Sequence, residues 1–508
     1  MTPEENLNKD DLLAAALAEA EKLEGEEHSD LLELISTEYC RRGDLSLAVE
    51  LADTIQDPYL RERTIGTLAS LSFDVQNPDS ANELLDSIED PSLMAVAIEQ
   101  TAIQLAERGE FEEAVRLTDQ LADPADALSN IAVQYARSGA FDDALEVAQM
   151  IEPPSSRTTT FGRLAFESLD KGRTDEALEL LGEASESVEA IEFPEDQVYA
   201  LVGIASAYEK AGDKESCVTR LNQALKLAVE IEGAAGVGIS STAGRDQALA
   251  QIVGTLTSFK SFANADKVVE QIEDPFQFAI ASGLLAVGFH EDGQQGQAKG
   301  LLDQAVEVAR EPELTGERGV ALREQVLSML AYRYALCGYY DESLKIAESM
   351  TGVSQKAELL TDIGRVSVGA GRDVVRVAEL LNDPMQTSAF WLAISDAYWT
   401  ANKQEEAEKS IAKAESSADA IENPYEKSLA LKEIASLLHS RELPERARRV
   451  FTKAKAATDT VEVGFQKARC LFALSQIEKS VSQSTAETDR SAYIDPETVW
   501  ISSNPIIE

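Results

Sequence analysis

Histidine and cysteine, the residues that most often bind metals and act as bases or nucleophiles, number only three and four in this 508-residue chain. The three histidines, His28, His290 and His439, are far apart and have no neighbouring partner at metal-ligand or base–nucleophile spacing. Cys40, Cys217, Cys337 and Cys470 occur singly, without a CxxC or Cys/His pair, which argues against a zinc site or a disulfide framework. The stretch GVGISSTAGR has the glycines of a phosphate loop. It lacks the GxxxxGK[ST] spacing and its lysine, and it follows a helical pattern where a strand would be needed. Adjacent carboxylates such as Glu112-Glu113 and Asp142-Asp143 fall where a helix begins, and there they complement the helix dipole. No EF-hand spacing is present. The residues therefore predict no catalytic site, no metal and no cofactor.

The elements that carry these residues follow a repeated phrase. A small residue is followed ten positions later by proline at Ala48/Pro58, Ala81/Pro91, Ala114/Pro124, Ala144/Pro154 and Ala265/Pro275. A recurrence near 30–33 residues marks a stacked helical array. In LSNIAVQYARSGAFDDALEVAQMIEPP, Leu128, Ile131, Ala132 and Tyr135 stripe one helix. Gly139 supplies the left-handed corner, and Ala144, Leu145, Ala148 and Ile151 stripe a returning helix. Asp before Pro at Pro58, Pro91, Pro124, Pro275 and Pro384 offers an N-cap followed by proline at the first helical position.

Two module lengths are expected. In the long form, the apolar–acid pair after the anchor shifts by seven residues, as at Ile191-Glu192, Ile231-Glu232, Ile421-Glu422 and Val461-Glu462. Seven residues are about two helical turns, so the apolar face is kept. The anchors give about twelve helix pairs, from Ala48 through Cys217 and Ser343 to Ala447, with Val374 the most irregular. Residues 1–28 are read as an acidic segment with a capping helix over 9–23. Residues 29–232 hold repeats 1–6, and 233–246 is either an enlarged loop or a hinge. Residues 247–480 hold repeats 7–12 and a second capping helix, and 481–508 form a disordered tail.

Hydrophobic residues make up 44% of the chain, enough for a continuous core, and the fold class is all-α. With 45 Lys plus Arg against 91 Asp plus Glu, the formal charge is −46. That surface repels nucleic acid and anionic lipid and would attract a basic partner. The plainer reading is a solvated acidic coat that keeps a long array soluble, and adaptation to a salty cytoplasm is a second. An acidic N-terminus and the lack of a long apolar run predict a cytoplasmic protein with no membrane insertion.

WLAISDAYWTANKQEEAEKS, with Trp391, Ile394, Ser395, Tyr398 and Ala407, carries a large–large–small–aromatic–alanine signature. LVGIASAYEKAGDKESCV repeats it with Leu201, Ile204, Ala205, Tyr208, Gly212 and Cys217. In these residues the chain resembles the tetratricopeptide repeat (TPR) family over roughly residues 29–480. The resemblance implies a right-handed superhelical solenoid of antiparallel helix pairs. It also implies a groove, lined by first helices, that binds a peptide or protein. Carried onto this chain, the groove positions select Arg41, Phe73, Phe166, Tyr199, Tyr332, Asp396 and Trp399, with Thr37, Ser70, Ser206, His290 and His439 beside them. The expected function is a non-enzymatic interaction scaffold. The alternative is a regulatory or sensory solenoid whose superhelix responds to a small ligand or peptide. The oligomeric state is left open.

Overall fold

The computed structural model describes residues 11–73, 78–230, 241–310 and 317–482. The expected tail beyond residue 482 and the first half of the expected loop lie outside the described residues. Among the described residues there are 26 α-helices and no strand. From Glu26–Arg41 with Leu45–Asp53 to Pro424–Ser440 with Pro444–Asp459, they fall into twelve successive hairpin pairs. The alanine phrase explains why they pair. Every anchor is buried, Val374 being the most exposed at 3%. A small residue there lets the two helices of a pair approach closely. Where Ser343 replaces alanine, its hydroxyl donates to the Ala331 carbonyl at 2.6 Å, so no polar atom is stranded.

The Asp-Pro corners behave as caps. Asp57 accepts from the Leu60 amide at 2.8 Å, Asp90 from Ser92 at 2.8 Å, Asp274 from Phe276 at 3.0 Å and Asp383 from Gln386 at 2.9 Å. At Asp123 the helix starts one residue later, at Ala125, with Pro124 as the capping position. Gly139 takes φ 97°, as a left-handed corner requires. The two module lengths are present. Second helices of 8 or 9 residues, such as Phe111–Thr118 and Phe141–Gln149, contrast with 16 or 17 in Gln404–Asp419 and Lys214–Glu230. The pair at Val374 has a second helix of only four residues, Val375–Ala378. A helix spans Ser241–Ser258, so the second half of the stretch expected to be a loop or hinge is helical, and Asp246 is fully buried.

The two terminal helices form at Leu12–Ala20 and Gly464–Ser482, and they pack on each other. The Leu12 amide donates to Glu478 Oε2 at 3.2 Å. Leu23 lies 3.2 Å from where a β-carbon on Gly464 would sit. The start of one helix therefore meets the end of the other, the antiparallel arrangement of a hairpin pair. The contact to the next module is also the one used inside the array. Arg108 and Lys171, each just past a first helix, donate to carbonyls at the end of the preceding first helix, at Phe73 just beyond it (2.8 Å) and at Ala136 within it (3.0 Å). Arg42, in the equivalent place, donates to the Ser475 carbonyl at 2.8 Å. The sequence assigns each terminal helix to covering one end of the array. In the structure they cover each other, making a further pair whose first helix is C-terminal and whose second is N-terminal. One hydrophobic core runs from Leu12 to Val481 through this seam.

Candidate binding face on the first helices

Three neighbouring first helices, Ala125–Ser138, Pro154–Asp170 and Pro194–Ala211, enclose a cleft of about 580 Å³. Phe166 and Tyr199, both expected in the groove, line it together. Between them Arg163 donates from Nη1 to Ser129 Oγ at 2.8 Å and from Nη2 to Asn130 Oδ1 at 3.1 Å. Desolvation in the cleft lowers the Arg163 pKa, and it raises that of the Tyr199 phenol, with Asp196 and Glu195 adding to the rise. Lys210 sits 5.2 Å from the Phe166 ring centroid and pairs with Asp170. Asp126 and Asp196 supply negative charge at the cleft, while Ser155, Ser156 and Thr159 supply hydroxyls. Aromatic faces beside fixed polar groups suit an extended chain that needs both apolar contact and hydrogen bonds.

A second cluster joins Asp396 and Trp399 through a residue the sequence did not single out. The Arg441 guanidinium lies 4.8 Å from the Trp399 ring centroid and pairs with Asp396. Arg441 stands at the end of Pro424–Ser440, one module beyond Pro384–Thr400, which carries the other two. Tyr332 is exposed at the mouth of a third cleft, between Ser241–Ser258, Pro275–Glu291 and Glu317–Leu336.

Two expected groove residues stand elsewhere. Phe73 is 2% exposed and belongs to the core. The helix Pro58–Ser72 ends just before it, and the extended backbone at Phe73 turns the ring inward. Arg41 is exposed and makes only a 3.9 Å ion pair with Glu38, apart from all three clusters. Of the flanking positions, Ser70 is buried. His290 Nδ1 lies 2.8 Å from Gln295 Oε1.

Among the described residues, no group of three or more His, Cys, Asp or Glu could hold a metal ion, and no helix is long and apolar enough to cross a membrane. All four cysteines are buried, and burial pushes the thiol of Cys217 up to about 12 and that of Cys337 up to about 11.

No family model matches the chain, and no curated protein matches it. Solved structures do. An array of nearly identical TPR-like repeats related to kinesin light chain, from Podospora anserina, aligns at 17% identity over 53% of this chain and 97% of its own, with a TM-score of 0.22. A Rap protein complexed with competence and sporulation factor aligns at 16% identity, 64% and 98% coverage, and a TM-score of 0.28. A human IFIT1 dimer with PPP-AAAA aligns at 14% identity, 89% and 95% coverage, and a TM-score of 0.30. By its own helices, the described chain is an all-α array of antiparallel helix pairs.

Proposed function

We propose that the protein is an interaction scaffold that binds a peptide or protein partner on the face formed by its first helices. The cleft shared by Phe166, Tyr199 and Arg163 carries this reading. Two aromatic rings that the family resemblance selected as groove positions line one cavity, with a guanidinium held by Ser129 and Asn130 beside them. Aromatic and arginine anchors in partly desolvated pockets are the groups that dominate binding energy at protein interfaces. The acidic surface adds long-range attraction for basic partners, an effect that falls as salt rises.

Peptides selected from a random displayed library against the full chain provide the test. Phe166→Ala or Tyr199→Ala should weaken the selected peptides at least about tenfold, the loss expected for a central anchor. Glu179→Ala, on the second helix Thr174–Ser187, should leave affinity unchanged. Peptides indifferent to both cleft substitutions would overturn the proposal.

A further inference from the structure

Arg333 is a buried cation in an acidic protein, and no carboxylate pairs with it among the described residues. Its residue exposure is 9%. One guanidinium nitrogen, Nη1, donates to the Ile280 carbonyl at 2.8 Å. The space it occupies exists because residue 283 is glycine. A β-carbon there would lie 2.6 Å from Arg333 Nη1 and 2.9 Å from its Cδ. The side chain is thus fitted against the backbone of the neighbouring first helix, with no acid waiting for it. Desolvation lowers its pKa to about 10, the direction expected of a cation removed from water without a counter-charge. Buried charges are ordinarily paired, because taking an isolated charge out of water is costly.

Arg333 is also one of the residues lining an apolar cleft of about 390 Å³. Leu284, Val287, Met329 and Leu336 form its walls, with the Tyr332 ring at the opening. The one acid on the cleft, Glu291, is at the far end of the same helix as Gly283. Eight residues separate them, about 12 Å of helix at 1.5 Å per residue, so Glu291 is out of reach of a guanidinium lying against Gly283. The thiol of Cys337, one turn beyond Arg333, is kept neutral by burial and offers no charge. The cleft therefore combines an unneutralised cation with an aliphatic lining and enough room for a small chain.

We propose that this cleft binds an aliphatic monocarboxylate, with its carboxylate on Arg333 and its hydrocarbon chain along Leu284, Val287, Met329 and Leu336. The bound anion supplies the counter-charge that no described residue provides, and a planar guanidinium suits a carboxylate better than a point cation would. The alkyl chain gains by leaving water, and that gain grows with each methylene that fits. This assignment stands independently of peptide binding on the Phe166–Tyr199 cleft.

Calorimetry on the full chain with octanoate, octanamide and octylamine tests it. Octanoate should bind at least tenfold tighter than the equally long amide, and octylamine should not bind. From hexanoate to octanoate, affinity should rise about threefold per methylene. Arg333→Gln should erase the preference for octanoate over octanamide while leaving the amide's affinity in place. Val287→Trp, at a partly exposed wall position, should block both ligands with the helical circular dichroism spectrum intact. Equal affinity for octanoate and octanamide in the wild type, octanoate binding undiminished by Val287→Trp, or no octanoate binding at millimolar concentration would each overturn the proposal.

Discussion

At the scale of single residues, the array is joined by a contact between modules that no local pattern announces. Glu62 accepts from the Asp90 amide at 2.9 Å, Asp246 from Asp274 at 2.6 Å and Glu324 from Gly352 at 2.9 Å. In each case an acid on one first helix holds the corner that begins the next, 28 residues later. Burial pushes the Glu324 pKa up, but hydrogen bonds from Thr351 and Gly352 outweigh it and leave the carboxyl below its ordinary value. A carboxyl depressed on folding contributes stability above its unfolded pKa and loses it as pH falls through the folded value. Glu324→Gln should therefore cost about 1–3 kcal/mol at pH 7. The gap to wild type should close below the ordinary carboxylate range, as measured by urea unfolding at pH 7 and pH 3. A gap that persists in acid would contradict the assignment. Phe166, Tyr199 and Trp399 were reached only through the family resemblance. Arg163 was visible only as a cation one turn before Phe166 on the same face, and Arg441 and Arg333 left no signal separable from other basic residues. Phe73 shows the complementary failure: the resemblance selected it as a groove position, but the helix ends just before it and its ring lies in the core.

At the scale of helices, nearly everything was legible, because the determinants are local. The 3.6-residue stripe, the small anchor and the Asp-Pro cap each act within one or two turns, and together they fixed pairing and length. The seven-residue extension is realised as longer second helices in place of broken ones. The long second helix Gln295–Arg310 lacks the apolar–acid ending that marked the others, and it was missed. The left-handed corner occupied by Gly139 is taken by Lys260, Asn402 and Glu442 in other pairs. The corner conformation is therefore imposed by the packing of the pair, and glycine is its least strained occupant. Close approach between neighbouring first helices depends on other glycines, such as Gly364, where a β-carbon would lie 2.7 Å from Ile394 Cδ1.

At the scale of the molecule, the array closes on itself, and this the sequence could not announce. Two leftover helices, one at each terminus, were visible. Their pairing joins residues 466 positions apart and leaves no periodic trace. Leu12, Leu13 and Leu17 are buried in the seam, each contributing about 1.5–3 kcal/mol by leaving water. A closed seam tolerates reordering of the chain. Moving residues 11–23 to follow residue 482 through a short loop should keep the helical content and the melting temperature, whereas deleting them should lower melting and enlarge the radius of gyration in solution scattering. Deletion without either change would show the seam to be absent.

The proposed function rests on the first-helix cleft that Phe166 and Tyr199 line together. The most direct measurement of that claim is a photo-crosslinking scan with a selected peptide, placing benzoylphenylalanine at the cleft positions Ser155 and Ala200 on first helices and, on second helices, at Glu179 and Glu408. The account predicts crosslinks from first-helix positions and none from Glu179 or Glu408. Equal labelling from both sets, or labelling confined to the second helices, would contradict it.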